Sequence, residues 1–261
     1  MASSDGDLDF TGRAVLVTGG TKGVGRGIAE RFLELGATVV VTARTEPPEA
    51  VTAVGREASF VAADLRDPDQ AAGAVDRAVE LGDGRLDTVV NNAGGSPPAD
   101  AATASPRFTE AIVRLNLLAP LHVAQRANAV MQAQADGGSI VNIGSLSGIR
   151  PSPGSAAYGA AKAGLANLTQ SLAMEWAPKV RVNMVTGGYL LTEQAELYYG
   201  DEAGQARVAS TVPMQRFGLP RDIADACAFL ASPLAGYVTG ANLAVHGGGE
   251  PPPFLGAAAD A

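Results

Sequence analysis

The chain has 261 residues, 46% of them hydrophobic and 18% charged, with a net charge of −8. This balance is typical of a globular protein, and the acidic charge argues against binding to nucleic acid or to an anionic membrane. One cysteine and two histidines exclude an intramolecular disulfide and argue against a metal site. A polar start over residues 1–9 and no apolar run of about 20 residues predict a cytoplasmic protein without a membrane span.

Short β-branched runs alternate with helical patterns along the chain. The predicted strands are Ala14–Thr18, Thr38–Thr42, Phe60–Ala63, Thr88–Asn91, Ser139–Ile143, Val180–Val185 and Leu243–Val245. The predicted helices are Gly25–Leu35, Pro68–Leu81, Arg107–Ala135, Ala157–Trp176 and Arg221–Ala231. Strands that are apolar on both faces and alternate with helices indicate a parallel sheet covered on both sides. The expected fold is α/β, a single doubly wound Rossmann-type domain with a seven-stranded parallel sheet and helices on both faces.

The domain organisation follows from the lack of any composition break along this alternation. We expect one domain over residues 10–249. Residues 1–9 are predicted to form a flexible N-terminal arm. Residues 250–261, rich in proline and alanine, are predicted to form a C-terminal tail.

The turn after the first strand is rich in glycine and leads into the first predicted helix. Glycine permits a tight turn and a close approach of the backbone to a pyrophosphate, and the helix start offers free N–H groups. In a strand–turn–helix context this pattern predicts a dinucleotide site. The candidate contacts are Gly19, Thr21, Lys22, Gly23, Val24 and Gly25.

The second strand ends at Ala43 and Arg44, where an NAD-binding unit usually carries an acid for the ribose 2′-hydroxyl. An acid would repel a 2′-phosphate, whereas a guanidinium binds it through paired, charge-assisted hydrogen bonds. Arg44 and Lys22 together therefore favour NADP(H) over NAD(H). The alternative is that both are solvated loop residues.

Two segments after later strands are further candidates for cofactor binding. Asp64 follows the third strand and either accepts a hydrogen bond from an adenine amino group, with Leu65 against the ring, or caps the next helix. Residues 91–94 close the fourth strand, and their small side chains allow a cofactor to lie near the backbone. A paired-asparagine turn without a ligand is the competing interpretation. The candidate contacts here are Asn91, Ala93 and Gly94.

Tyr158 and Lys162 lie at the start of a predicted helix, four residues apart and thus on nearly the same face. A free tyrosine has a pKa of ~10, and a nearby ammonium favours the phenolate. We therefore expect Lys162 to lower the pKa of Tyr158. The spacing alone is common on surface helices, but its position after Ser145 on a dinucleotide fold gives it weight.

The chain resembles the short-chain dehydrogenase/reductase family from about residue 9 to residue 249. The likeness rests on residues 18–25, residues 91–94, Asn116, Ser145, and Tyr158 with Lys162, all in the family's order and spacing. It implies that Tyr158 gives or takes the substrate proton and that Lys162 lowers its pKa and binds the nicotinamide ribose. It further implies that Ser145 orients the carbonyl oxygen and that Asn116 holds a water molecule.

The same resemblance implies a nicotinamide pocket completed after the sixth strand. Thr192 would bind the carboxamide, and Gly188 would border the cofactor, although Gly187-Gly188 stands where the family usually has Pro-Gly. Loss of that proline makes the entry to the substrate loop, about residues 188–213, more flexible. The family likeness also implies a homotetramer or a homodimer.

The implied activity is that of a short-chain dehydrogenase/reductase acting on CH–OH groups with NADP(H), which interconverts a ketone and a secondary alcohol. Aromatic and aliphatic residues of the substrate loop predict a neutral, apolar carbonyl substrate. One alternative is a 3-oxoacyl-thioester ketoreductase of fatty-acid or polyketide type, which shares every catalytic motif. Another is a non-enzymatic dinucleotide-sensing protein, although such proteins typically lack the tyrosine or the lysine.

Overall fold

The structure, a computed structural model, describes residues 8–252. Most of the predicted arm and the tail beyond residue 252 lie outside the described residues. The strands are β1 (Ala14–Thr18), β2 (Thr38–Ala43), β3 (Thr52–Ala53), β4 (Arg56–Glu57), β5 (Ser59–Ala62), β6 (Thr88–Asn91), β7 (Gly138–Ser145), β8 (Val180–Gly187) and β9 (Asn242–Val245). The helices are α1 (Gly23–Glu34), α2 (Pro68–Leu81), α3 (Pro106–Val113), α4 (Ala119–Ala133), α5 (Ala156–Trp176), α6 (Ala195–Tyr199), α7 (Glu202–Ser210) and α8 (Pro220–Ala231).

Seven strands form one sheet in the order β5-β2-β1-β6-β7-β8-β9, and all of its pairings are parallel. The chain runs outward from β1 to β2 and β5, then crosses back to β6 on the other side of β1. In such sheets ligands bind outside the carboxyl ends of the strands where the direction of winding reverses. The predicted fold class is confirmed, and the reversal lies between β1 and β6.

Alternate residues of β1 supply two hydrophobic cores, one on each face of the sheet. Val15 and Val17 belong to the core that contains Phe32 of α1 and Ile223 of α8. Leu16 belongs to the other core, which α2 and α4 complete. Because both faces are buried, every β1 side chain is apolar except Thr18 at its carboxyl end.

The helix predicted over residues 107–135 is divided in the structure. Between α3 and α4 lies a π-helical turn, Arg114–Leu118. The Asn116 amide explains the widened turn, since its Nδ2 donates to Ile112 O at 2.9 Å and to Gly95 O at 2.9 Å. The backbone N–H of Gly95 donates back to Asn116 Oδ1 at 2.9 Å. The turn therefore fastens the loop after β6 to the helix.

Several other elements differ from their predicted extents. β7 and β8 run on to Ser145 and Gly187 because the two strands stay paired through those residues. The antiparallel pair of β3 and β4 was not predicted. The predicted substrate loop carries α6 and α7, which are separated at Gly200 with a φ of +76°.

Candidate active site

A cavity of about 440 Å³ opens at the carboxyl ends of β1, β2, β5 and β6. The predicted cofactor contacts that line it are Gly19, Thr21, Lys22, Gly23, Val24, Gly25, Arg44, Asp64, Leu65, Ala93, Gly94 and Thr192. Residues that the sequence reasoning did not assign as contacts also line it, namely Thr42, Ala43, Ala63, Arg66, Asn92, Leu115, Glu193 and Gln194. Most of these flank a predicted contact along the chain, which is the signal that could have found them.

The glycine turn is shaped by positive φ angles at Gly19 and Gly23 and by one very close approach. Gly19 has a φ of +62°, and a Cβ added to Gly25 would lie only 2.2 Å from Gly19 O. Lys22 occupies the N-cap position of α1 but makes no side-chain capping bond within the described part of the chain. The first N–H groups of α1 therefore face the cavity without a capping side chain, an arrangement suited to a phosphate.

The two neighbouring asparagines after β6 have different surroundings. Asn92 lines the cavity and ties its wall to the glycine turn, with Nδ2 donating to Thr18 O at 3.0 Å and Gly19 O at 3.1 Å. Asn91, predicted as a cofactor contact, is buried away from the cavity. Its Nδ2 donates to Asn142 Oδ1 at 2.9 Å and to Pro120 O at 3.2 Å. Asn91 thus supports the sheet, because successive strand residues point to opposite faces.

Charged side chains gather at the end of the cavity formed by β2 and β5. Arg44 is exposed, and neither it nor Lys22 takes part in an ion pair among residues 8–252. Arg66 Nε donates to Asp64 Oδ1 at 2.8 Å, and this bond is the main cause that lowers the pKa of the Asp64 carboxyl. The capping alternative for Asp64 is wrong, because the side chain of Asp67 caps α2 instead. The result is a rim with three cations and one paired carboxylate.

The predicted catalytic side chains come from β7, from α5 and from the π-helical turn that carries Asn116. Ser145 is the last residue of β7, and Tyr158 and Lys162 lie one turn apart on α5. Lys162 Nζ donates to Ile143 O of β7 at 2.8 Å and lies 5.7 Å from the centre of the Tyr158 ring. Ser145 is near enough for a hydrogen bond between its hydroxyl and the Tyr158 phenol.

Gly94 connects this group to the cavity. A Cβ added there would lie 2.7 Å from Asn116 Oδ1 and 3.3 Å from Lys162 Nζ. Asn116 and Lys162 therefore lie against Gly94, whose backbone also lines the cavity. Neither Tyr158 nor Lys162 lines the cavity itself, and Lys162 lies behind Gly94.

The ionisation of the pair differs from the sequence-based expectation. Burial raises the pKa of the Tyr158 phenol, and the hydrogen bond with Ser145 opposes this rise without cancelling it. Burial also lowers the pKa of Lys162 to about 8. Burial is therefore the main influence on the tyrosine pKa, and the expected lowering by Lys162 is not found. The phenol is protonated at neutral pH, which is the state that can donate a proton.

The segment after β8 closes the other side of the cavity. Thr192 lines it, and the carboxylate oxygens of Glu193 lie 3.8 Å from a Cβ added to Gly23. Gly188, a predicted contact, lies outside the cavity wall, because its N–H donates to Val245 O at 3.2 Å and so continues the pairing of β8 with β9. Over residues 8–252, no helix is both long and apolar enough to cross a membrane. The same residues contain no cluster of three or more histidine, cysteine or acidic side chains placed to bind a metal ion.

Comparison with known proteins agrees with this architecture. A family model described as enoyl-(acyl carrier protein) reductase matches residues 19–250. The chain is 34% identical to 2-dehydro-3-deoxy-D-gluconate 5-dehydrogenase of Escherichia coli (strain K12), over 92% of this chain and 96% of the relative. A double mutant of a Serratia marcescens short-chain dehydrogenase/reductase has a TM-score of 0.82 and 31% identity, over 92% of this chain and 98% of that one. A blue fluorescent protein from a metagenomic library, in complex with NADPH, has a TM-score of 0.82 and 32% identity with the same coverage. The chain therefore belongs to the short-chain dehydrogenase/reductase family of oxidoreductases, as its motifs predicted.

Proposed function

We propose that this protein is an NADP(H)-dependent oxidoreductase that interconverts a ketone and a secondary alcohol, with Tyr158 as the proton donor and acceptor. The observation that carries the proposal is the position of Lys162. Its ammonium lies beside the Tyr158 ring on one side and the cavity residue Gly94 on the other. A proton-transfer group thus stands next to a nucleotide-shaped cavity.

The cavity residues fit a nicotinamide dinucleotide. The glycine turn and the uncapped start of α1 suit its pyrophosphate, and Leu65 lines the wall where an adenine ring would lie. Arg44 and Arg66 at the rim suit a 2′-phosphate, since no acid stands at the end of β2 to repel it. The relative in complex with NADPH supports the same choice.

In the proposed mechanism a nicotinamide held in the cavity would supply or accept the hydride at the substrate carbon. Tyr158 donates its proton to the carbonyl oxygen during reduction and takes it back during oxidation. Ser145 donates a hydrogen bond to the same oxygen as negative charge develops there. Lys162 holds the cofactor ribose and stabilises the phenolate that remains after proton transfer. Asn116 fixes the loop at Gly95 that forms the inner wall.

The substrate loop of about residues 188–213, termed the lid, supports only part of the predicted substrate class. Tyr189, Tyr199 and Val208 line a large cavity beside α7 and give it apolar surface. Arg150 and Arg207 line the same cavity, and they argue against a strictly neutral substrate. The proposed substrate is therefore a ketone or a secondary alcohol that need not be neutral.

The predicted homodimer or homotetramer belongs to this proposal as well. Large apolar side chains are exposed near the C-terminal strand, including Tyr237 and Leu234. Exposed apolar side chains of this kind mark contact surfaces when they are contiguous. Light scattering after size-exclusion chromatography measures the mass of the assembly directly.

The central experiment compares the wild type with Tyr158→Phe on a broad panel of ketones and acyl thioesters. We expect kcat to fall about 10²- to 10⁴-fold, as for loss of a general acid, while NADPH binding measured by fluorescence is retained. Turnover of acyl thioesters alone would favour the ketoreductase alternative. NADPH binding without turnover of any panel member by the wild type would favour the sensing protein.

A second experiment addresses the cofactor. We expect the wild type to prefer NADPH to NADH, and Arg44→Gln to raise the KM for NADPH about 10- to 100-fold, as for loss of a charge-assisted hydrogen bond. The KM for NADH should stay unchanged. Arg77→Gln, an exposed change on α2 outside the cavity, is the matched control. Equal use of both cofactors by the wild type would mean that Arg44 does not bind a phosphate.

A further inference from the structure

A second cavity, of about 1060 Å³, lies between α7 and the last described residues of the chain. Arg150, Tyr189, Tyr199 and Glu250 are on its wall. Arg150 and Tyr189 both lie close to Ser145 in the fold, because the backbone N–H of Arg150 donates to Leu146 O and Tyr189 follows Gly187, the residue that pairs with Ser145. This cavity is therefore next to the strand end that carries Ser145.

The side-chain carboxylate of Glu250 lines this cavity and is bound by two other lining residues. Arg150 forms an ion pair with Glu250 through Nε, and its Nη2 donates to Glu250 Oε1 at 2.7 Å. The Tyr189 hydroxyl donates to the same Oε1. Arg150 Nη2 also lies 3.2 Å from the Tyr189 hydroxyl, so one guanidinium and one phenol surround one carboxylate.

The two residues that bind this carboxylate are held in place by their own neighbours. The backbone N–H of Arg150 donates to Leu146 O at 3.1 Å, which ties it to the turn that follows Ser145. The Tyr189 ring packs edge-on against Tyr199, with the ring centres 5.7 Å apart. Glu250 differs, since it lies in an extended segment outside any helix or strand of the described chain.

We infer that Arg150 and Tyr189 form the recognition site for a substrate carboxylate, and that Glu250 occupies this site until an oxo acid or hydroxy acid displaces it. The inference rests on the proposed function and names the substrate class of that same site. Arginine binds a planar carboxylate through several donors, which an ester or an amide does not reproduce. Arg207 on the same wall adds attraction for an anion once Glu250 has left.

Kinetics with matched substrates test the inference. The substrates are a series of straight-chain oxo acids of increasing length and their methyl esters, reduced with NADPH. For at least one length we expect the acid to have a KM about tenfold below that of its ester, the size expected from a charge-assisted hydrogen bond. Arg150→Met should remove this difference between acid and ester. Esters that are used as well as acids at every length, in the wild type and in Arg150→Met alike, would overturn the inference.

Glu250→Gln provides an independent test with the opposite sign. Without its charge the side chain competes less well for Arg150, so the KM for the oxo acid should fall several-fold while that for the ester stays constant. Glu202→Gln, another acid of the lid segment that does not line the cavity, is the control and should change neither KM. An unchanged KM for the acid in Glu250→Gln would contradict the competition.

Binding without turnover separates the inference from the proposed function. Calorimetric titration of the NADP⁺-loaded protein with the same oxo acid should show binding that Arg150→Met weakens about tenfold. Acid binding with this dependence, but without reduction of any ketone, would sink the proposed function and leave the carboxylate site standing. Reduction of ketones that does not depend on Arg150 would support the proposed function and contradict the carboxylate site.

Discussion

At the scale of the single residue, the proposed site depends on an ammonium held in apolar surroundings. Within the described chain, Lys162 Nζ has one hydrogen bond, to Ile143 O, and burial lowers its pKa to about 8. Burial of a charged amine destabilises the folded state unless it is fully compensated. In the proposed mechanism Lys162 therefore serves the reaction at a cost in stability, as is common at active sites.

The pH dependence of stability tests this directly. Below about pH 8 both the folded and the unfolded chain hold the Lys162 proton, but between pH 8 and the pKa of an unfolded lysine, about 10.4, only the unfolded chain holds it. The free energy of unfolding should therefore rise with pH by about 1.4 kcal/mol per unit in that window. Urea denaturation at several pH values measures the free energy of unfolding of the wild type and of Lys162→Met. The contributions of the other titratable groups cancel in the difference between the two proteins. A difference that is flat from pH 7 to about pH 10 would contradict the buried ammonium.

The sequence predicted which residues meet at the site more fully than it predicted the pKa values of those residues. Ser145, Tyr158 and Lys162 stand at fixed spacings along one chain, so their meeting follows once the strand and the helix are placed. The direction of the Tyr158 pKa could not be predicted, because it depends on how far packing excludes water. Arg66 and Glu250 were missed because their significance comes from partners that the motifs do not include.

At the scale of the element, the widened turn between α3 and α4 joins two parts of the site. A π-helical turn inserts one residue into the helix, and such turns occur frequently at functional sites. Here it directs Asn116 toward the loop at Gly95. The sequence predicted one continuous helix, because periodicity alone does not distinguish a regular turn from a widened one. The contact that decides it comes from a loop about 20 residues earlier in the chain.

Asn116→Ala should separate the structural part of this turn from the catalytic part. It removes three hydrogen bonds and leaves the buried Ile112 O and the Gly95 groups without their partner, so we expect a loss of about 1–3 kcal/mol in the free energy of unfolding. Loosening of the loop should also lower kcat, while the KM for NADPH changes little. Asn128→Ala on the same helix system, far from the loop, is the control. If Asn116→Ala kept full stability and turnover, the turn would not organise the site.

At the scale of the whole molecule, the alternation of strands and helices was enough to predict the parallel sheet. Strands buried on both faces can be arranged in few ways once crossovers are right-handed. The lid was much less predictable, since α6 and α7 are short and much of their surface is exposed. Its arrangement depends on Tyr199 packing against Tyr189 and Phe217, which are distant from each other in the sequence.

The two cores share the sheet, so the molecule should unfold as one unit. Phe32 on one face and Met131 on the other are fully buried, and truncation of either to alanine should lower the free energy of unfolding by about 2–5 kcal/mol. Leu197→Ala, a change of an exposed side chain in α6, should cost less than about 0.5 kcal/mol. Because adjacent residues of β1 feed opposite cores, loss of packing on one face weakens the strand that supports the other. Calorimetry should therefore show a single transition that moves to lower temperature in both core variants. Two transitions in either variant would mean that the faces unfold independently.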